Sequence, residues 1–455
     1  IAGSLILAAC GGSAPTSASP ATTSAPASSA PAKPSAAAST SPAPAASQSA
    51  AAAGAGAANG PIKVGLLEPL TGSFASIAKD NKDGFDLYLS TMGDTAAGRQ
   101  IQAVYADTQG RADVAVTKAK QLVQVDHVAA LMGLTPTPEC YAVANLVKDA
   151  HTPLMVSANC SAENLFTQHG SPYVVRVTQS NLGVAQPGAD WAYKQGYRKA
   201  ILFTSDYGGG IEQSDAFGAA FVEEGGTIVQ ELHPAVGVPD FGPLLAQIDK
   251  SADVIWTFLP GADGLHFGLQ YHDYAAGGKT QVMEAFADIT AGPNLQKLKE
   301  KAVGLVASNV WTEASSTPQN EQFLKAFHAK YPGRLLSKDV VQGYVGAQIL
   351  EEAVKKVGGK IEDTNAFMQA LYGTKLDTAK GPVRLAANHD VVQNYYIYRT
   401  VAQGAGFKQQ LLETYKDMSD LGPFTAKQVA NLKIGTHKDH WVGMTKQKLD
   451  EILNQ

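Results

Sequence analysis

The chain of 455 residues carries 36 Lys and Arg against 41 Asp and Glu, for a formal net charge of -5. That balance, with no dense basic patch interleaved with aromatics, disfavours a nucleic-acid-binding role. No apolar run in 61–455 reaches the roughly eighteen residues that a membrane-spanning helix needs, and a segment this long is expected to form two or more domains.

The first ten residues read as the tail of a secretory signal, an apolar run ending in Leu7-Ala8-Ala9-Cys10. Without an initiator Met or a basic leader, the start is read as truncated. The Leu-Ala-Ala-Cys string resembles a bacterial lipoprotein lipobox. That resemblance implies cleavage before Cys10 and a lipid thioether on its sulfur; two or more acyl chains anchor stably where one is marginal. Residues 11–60 are almost wholly Ala, Ser, Pro, Thr and Gly, with Lys33 as the only charge. Lacking large apolar side chains to bury, they are expected to form a disordered tether with a root-mean-square span of roughly 40 Å.

Strand 62–67 ends at Glu68-Pro69-Leu70-Thr71-Gly72-Ser73 and leads into helix 75–92. Strand 101–106 runs into Asp107-Thr108-Gln109-Gly110, and helix 113–125 carries Val116, Ala119, Lys120 and Val123 at helical spacing. Strands 129–132 and 154–157 flank one amphipathic helix. Each opens into small polar residues: Gly133-Leu134-Thr135-Pro136-Thr137 after the first, Ala158-Asn159-Cys160-Ser161 after the second. In an open parallel sheet, ligands sit at the carboxyl ends of neighbouring strands. Loops rich in hydroxyls and N–H groups suit a small polar or anionic ligand; ordinary strand-to-helix turns are the alternative. Cys140 lies just beyond the first loop and Cys160 inside the second, so they form either a disulfide, which an exported compartment allows, or two buried thiols.

After a short strand at 173–177, a second series begins near Asn181. It comprises helix 182–195, strand 199–203, the loop Thr204-Ser205-Asp206-Tyr207-Gly208-Gly209-Gly210, and a helix to 224. Strand 227–232, helix 241–248, strand 254–258, the loop Leu259-Pro260-Gly261-Ala262-Asp263, a helix to 274, and strands 281–286 and 303–307 follow. Repeated strand–helix alternation signals parallel sheets covered on both faces. Two such series predict an α/β class with two lobes. Helices 319–330, 338–357 and 364–371 come next, then strands 381–385 and 394–401. The Lys-rich tail from 421 to 455 is read as a surface appendage.

The order of features resembles a known family. It runs Ile62-Lys63-Val64-Gly65-Leu66-Leu67, Pro69-Leu70-Thr71-Gly72, a helix with Asp83-Gly84, and a strand ending Tyr105-Ala106-Asp107-Thr108. The Gly133 loop, the Ser157 loop and Asp206-Tyr207-Gly208 complete it. This pattern, over about 61–415, is similar to the branched-chain amino acid-binding type of periplasmic binding protein, which feeds ABC importers. The resemblance implies the type I fold: two Rossmann-like lobes joined by three crossover segments, closing by a hinge on a ligand in the cleft. Lobe one is then 61–178 with 312–385, and lobe two is 179–311 with 386–420.

Residue by residue, the resemblance implies that Thr137 holds a ligand carboxylate, helped by Cys160 and Ser161, and that Tyr207 closes over it. Phe74 and Ile77 are the nearest candidates for the side-chain pocket. Two positions depart from the amino acid binders: Leu259-Pro260-Gly261 stands where a tyrosine is usual, and Phe286 stands nearest the acid that pairs an α-ammonium. Asp288 either substitutes for that acid or caps a helix. With Phe286 in the cleft, a buried ammonium lacks its counter-charge, which points to an aromatic or short-chain carboxylate, or an amide.

Enzyme chemistry finds no support. There is no Walker A loop, no His-Glu-x-x-His and no Gly-x-Ser-x-Gly. Gly208-Gly209-Gly210 lacks the following Lys-Ser/Thr. His266 and His272 are poorly spaced for one face, and His437 with His440 shows no third metal ligand nearby. The expectation is a monomeric, lipid-tethered, extracytoplasmic protein that hands a small solute to ABC permease subunits, with no cofactor or metal. A ligand-sensing lobe for a receptor and an exported α/β hydrolase are the alternatives.

Overall fold

The computed structural model describes residues 60–455 apart from 168, 275–279, 291, 405 and 437. Cys10 and the tether through 59 lie outside the described residues. A six-stranded sheet runs in the order Thr95–Ala96, Arg99–Asp107, Ile62–Glu68, Ala130–Gly133, Leu154–Val156, Val174–Arg176. Its strands are parallel except for the short edge pair. Val64, Leu66 and Leu67 are all buried, as expected of a parallel strand covered on both faces.

A nine-stranded sheet follows the order Lys375–Thr378, Gly381–Leu385, Val391–Gln403, Val306–Asn309, Gln281–Ala285, Val254–Phe258, Lys199–Thr204, Thr227–Leu232. Gly406–Met418 pairs with Val391–Gln403 beside this path. Strands from Lys199–Thr204 to Val306–Asn309 are parallel, and the C-terminal ones antiparallel. The chain passes between the sheets at 177–180, 310–317 and 373–374. This is the two-lobe α/β architecture. Among the described residues, no helix is long and apolar enough to cross a membrane.

Two boundaries differ from the sequence reading. Residues 375–385, grouped there with lobe one, pair into the second sheet. A tight hairpin joins the two strands, with Gly381 at φ +94°. Once Val383 pairs with Gln393, both strands must follow. The tail is also not a surface appendage. Val429, Leu432, Ile434, Trp441, Leu449 and Leu453 are buried, and helix Lys446–Leu453 packs on Gly208–Glu223. The Trp441 indole lies over Gly218 and donates to Asp215 Oδ1 at 2.7 Å.

Helix Ala75–Met92 brings Ile77 to the cleft and packs closely on Lys338–Lys356. Two glycines permit this approach. A Cβ at Gly84 would stand 1.8 Å from Val340 O, and one at Gly343 would stand 1.9 Å from Asn81 O. The Asn81 amide, turned so that both of its ends are satisfied, donates to Glu68 Oε1 at 2.7 Å and accepts from Gly343 N at 3.2 Å. Gly84→Ala must push the helices apart, at a cost of about 1–3 kcal/mol. A thermal melt will show this as a lowered midpoint, whereas Gly93→Ala, whose Cβ meets nothing, will lose only what its φ of +74° demands.

Candidate functional site

The cleft lies at the carboxyl ends of the parallel strands, where loops rather than side-chain layers face outward. In this structure it is closed. Gly208 sits over the Thr137 methyl group, so that a Cβ there would lie 3.7 Å away, and Gly261 approaches Ser73 O so closely that a Cβ would lie 2.6 Å from it. Gly261 takes φ +66° to do so. The Tyr141 hydroxyl donates to Glu212 across the same gap.

Within the cleft is a small cavity lined by Phe74, Ile77, Thr135, Asn159, Gln179, Tyr207, Phe258, Pro260, Phe286, Asp288 and Lys338. Its middle is aromatic. Ring centroids are 6.0 Å apart for Phe74 and Tyr207, 6.2 Å for Tyr207 and Phe258, and 5.3 Å for Phe258 and Phe286. Such tilted and edge-on pairs present ring faces and edges that suit another flat ring. Burial holds the Tyr207 phenol well above its usual pKa, with Asp288 adding to it, so the ring stays neutral.

The polar groups gather at two places. On the lobe-one side, Thr135 Oγ1 and Asn159 Nδ2 are buried without a hydrogen-bond partner. Unpaired buried donors of this kind cost about 1–3 kcal/mol each, which an anionic acceptor would relieve. Asn159 is steadied by Gln179, whose Nε2 approaches its Oδ1 at 3.4 Å, and Gln342 Nε2 donates to Gln179 Oε1 in turn. At the other place, Lys338 Nζ lies 2.7 Å from Asp339 Oδ1 and 3.3 Å from Asp288 Oδ1. Lys338 is 4% and Asp288 7% exposed. Burial raises the Asp288 carboxyl to about 6, the Lys338 cation pulling against it. Burial also opposes the Lys338 charge, but the carboxylates of Asp339 and Asp288 outweigh it and hold the ammonium above its usual range.

Of the residues singled out from the sequence, Phe74, Ile77, Tyr207, Phe286 and Asp288 meet around this cavity. Thr137, Cys160 and Ser161 are buried beside it but do not line it. Cys160 is bridged to Cys140 with an S–S distance of 2.05 Å, so its sulfur ties the two cleft loops together and offers no thiol to a ligand. Thr135 and Asn159 stand at the wall instead, two residues and one residue earlier in the same loops. Phe258 ends its strand at the position where ligand sites form, a signal that was there to read. Lys338 carries no local signal, because its helix is far away in the chain.

The model of the periplasmic binding protein family matches residues 61–405. The chain belongs to the periplasmic binding protein family. Leu/Ile/Val-binding protein homolog 6 of Brucella melitensis is 30% identical over 370 residues, which cover 79% of this chain and 93% of the relative. An ABC transporter substrate-binding protein from Sphaerobacter thermophilus aligns with a TM-score of 0.75 and 28% identity, covering 80% of this chain and all of that one. A solute-binding protein of an ABC transporter from Rhodopseudomonas palustris HaA2, in complex with p-hydroxybenzoic acid, aligns with a TM-score of 0.74 and 29% identity, covering 80% and 99%. The kinship with branched-chain amino acid-type binders read from the sequence therefore holds.

In this periplasmic binding protein the lobe-two strand Gln281–Ala285 also holds a buried titratable group. Glu284 accepts from Ile289 N at 2.7 Å, Thr290 N at 3.1 Å and the Thr290 hydroxyl. Burial nevertheless raises its carboxyl from 4.5 to about 7. The fold thus keeps a proton that the unfolded chain releases. The stability this confers is full below about 4.5 and is lost as the pH rises through about 7. Melting curves across that window will show a shallower decline for Glu284→Gln than for the unchanged protein.

Proposed function

We propose that this protein captures a small aromatic carboxylate of the benzoate class and delivers it to an ABC importer, without chemical conversion. The observation that carries the reading is an aromatic cavity at which Thr135 Oγ1 and Asn159 Nδ2 stand without hydrogen-bond partners. The protein's own ammonium stands 3.3 Å from Asp288, on the acid that an amino acid's α-ammonium would need to reach. An aromatic acid has no such need. Its carboxylate accepts from Thr135 Oγ1 and Asn159 Nδ2, and its ring lies among Phe74, Tyr207, Phe258 and Phe286. A ring hydroxyl meets Asp288 and Lys338. The p-hydroxybenzoic acid held by the Rhodopseudomonas palustris relative supports this chemistry. Binding needs hydrogen bonds and apolar burial only, so no residue is required as a general acid or base.

The same reading places the protein outside the cytoplasm as a monomer, held to the membrane by lipid on Cys10 through the 11–60 tether.

A thermal-shift series with benzoate, 4-hydroxybenzoate, leucine and phenylalanine tests the solute class. The aromatic acids will raise the midpoint in a concentration-dependent way, and leucine will not. Hydrogen bonds to a charged group contribute about 1.5–3 kcal/mol, so Thr135→Ala and Asn159→Ala should each weaken benzoate binding roughly 10- to 100-fold. Tighter binding of leucine than of either benzoate overturns the proposal.

A further inference from the structure

Away from the cleft, the edge strand Thr227–Leu232 of the second sheet presents Glu231, and His233 follows two residues on, so strand geometry puts both side chains on one face. Both are almost wholly enclosed, with side-chain exposures of 1% and 2%. The C-terminal tail encloses them. Val442 forms a parallel bridge with Ile228, and the backbone N–H groups of Trp441 and Val442 donate to Glu231 Oε1, the latter at 3.2 Å. One oxygen of the carboxylate is thereby satisfied. The other, Oε2, faces His233 Nε2 at 3.5 Å, and both atoms are buried without a hydrogen-bond partner. The Asp439 carboxylate completes a set of three ligand atoms that all lie within 4.8 Å of one another.

We propose that Glu231 Oε2, His233 Nε2 and Asp439 bind a divalent transition cation of the zinc type, which buckles the C-terminal tail to the second lobe. The separation of Nε2 and Oε2 is too long for an ordinary N–H···O bond. It matches the roughly 3.4 Å between two tetrahedral ligands that each stand about 2.1 Å from zinc. The imidazole is oriented as a metal ligand requires. Its Nδ1 lies 3.3 Å from Thr204 O and 3.2 Å from Thr204 Oγ1. Donation from Nδ1 to that carbonyl leaves the lone pair on Nε2, directed at the carboxylates. One nitrogen and two carboxylate oxygens suit zinc, with a water in the fourth position. Asp439 lies beyond residue 405, where the family match stops, so this site joins the shared fold to the added tail. Lys438 pairs with Asp206 at 2.7 Å alongside, which fixes the same stretch of tail next to the Tyr207 loop.

The test uses full-length protein without an affinity tag, dialysed against EDTA and titrated with zinc chloride by calorimetry, with metal content measured after gel filtration. The proposal expects one zinc per chain and a raised melting midpoint that EDTA reverses. His233→Gln should abolish retention, and Asp439→Asn should weaken binding by about 10-fold or more. The exposed position of Asp439 keeps the second variant folded even where the first is not. Retention of no stoichiometric zinc, or unchanged affinity in Asp439→Asn, overturns the proposal and leaves Glu231 and His233 as a buried contact without a metal.

Discussion

The ion pair between Lys338 and Asp288 links the two lobes of this protein across its cleft. Lys338 opens the long helix that packs on lobe one, while Asp288 follows the last residues of the lobe-two strand Gln281–Ala285. Their contact therefore spans the two lobes. A buried cation is costly unless carboxylates surround it, and here Asp339 and Asp288 both do. Removing one member of such a group leaves an uncompensated charge, at a cost of about 3–5 kcal/mol. The contact with Asp288 needs the lobes together, while Asp339 holds Lys338 from its own helix.

The scaffold holds this pair in place through backbone proximity more than through bulk. Gly84 and Gly343 let two helices touch backbone to backbone, which positions the first turn that carries Lys338. The disulfide between Cys140 and Cys160 ties the two lobe-one loops that present Thr135 and Asn159. A buried pair of Arg176 and Asp390, 2.7 Å apart at Nε and Oδ1, fastens the edge of the first sheet to the segment entering Val391–Gln403. Rigid walls of this kind preorganise the unpaired donors toward a ligand, and preorganisation reduces the entropic cost of binding.

Much of this was legible in the sequence. Apolar strand runs and helical spacing located helix Ala75–Met92 to the residue and both strand–helix series, because local pattern and tertiary burial agree there. The family resemblance pointed to Tyr207, Phe74 and Phe286, which line the cavity at loops that follow strand ends. Strand Gly406–Met418 was not readable: GFKQQLLETYKDM is polar along most of its length, and pairing to Val391–Gln403 rather than burial makes it a strand. The tail misled through its lysines, since Trp441 and Leu449 bury while the charges stay outside. The sequence reading named Thr137, while Thr135 lines the cavity, because a loop's direction at the turn of Gly133, with φ +97°, decides which of two neighbouring hydroxyls faces it. Lys338 was beyond reach, since only tertiary packing brings it to Asp288.

The most direct test is a crystal structure of the protein with 4-hydroxybenzoate. The account predicts the carboxylate within hydrogen-bond distance of Thr135 Oγ1 and Asn159 Nδ2, the ring between Phe74, Tyr207, Phe258 and Phe286, and Lys338 still paired with Asp288. A ligand whose carboxylate instead breaks the Lys338–Asp288 pair, with Thr135 and Asn159 left unpaired, would contradict it.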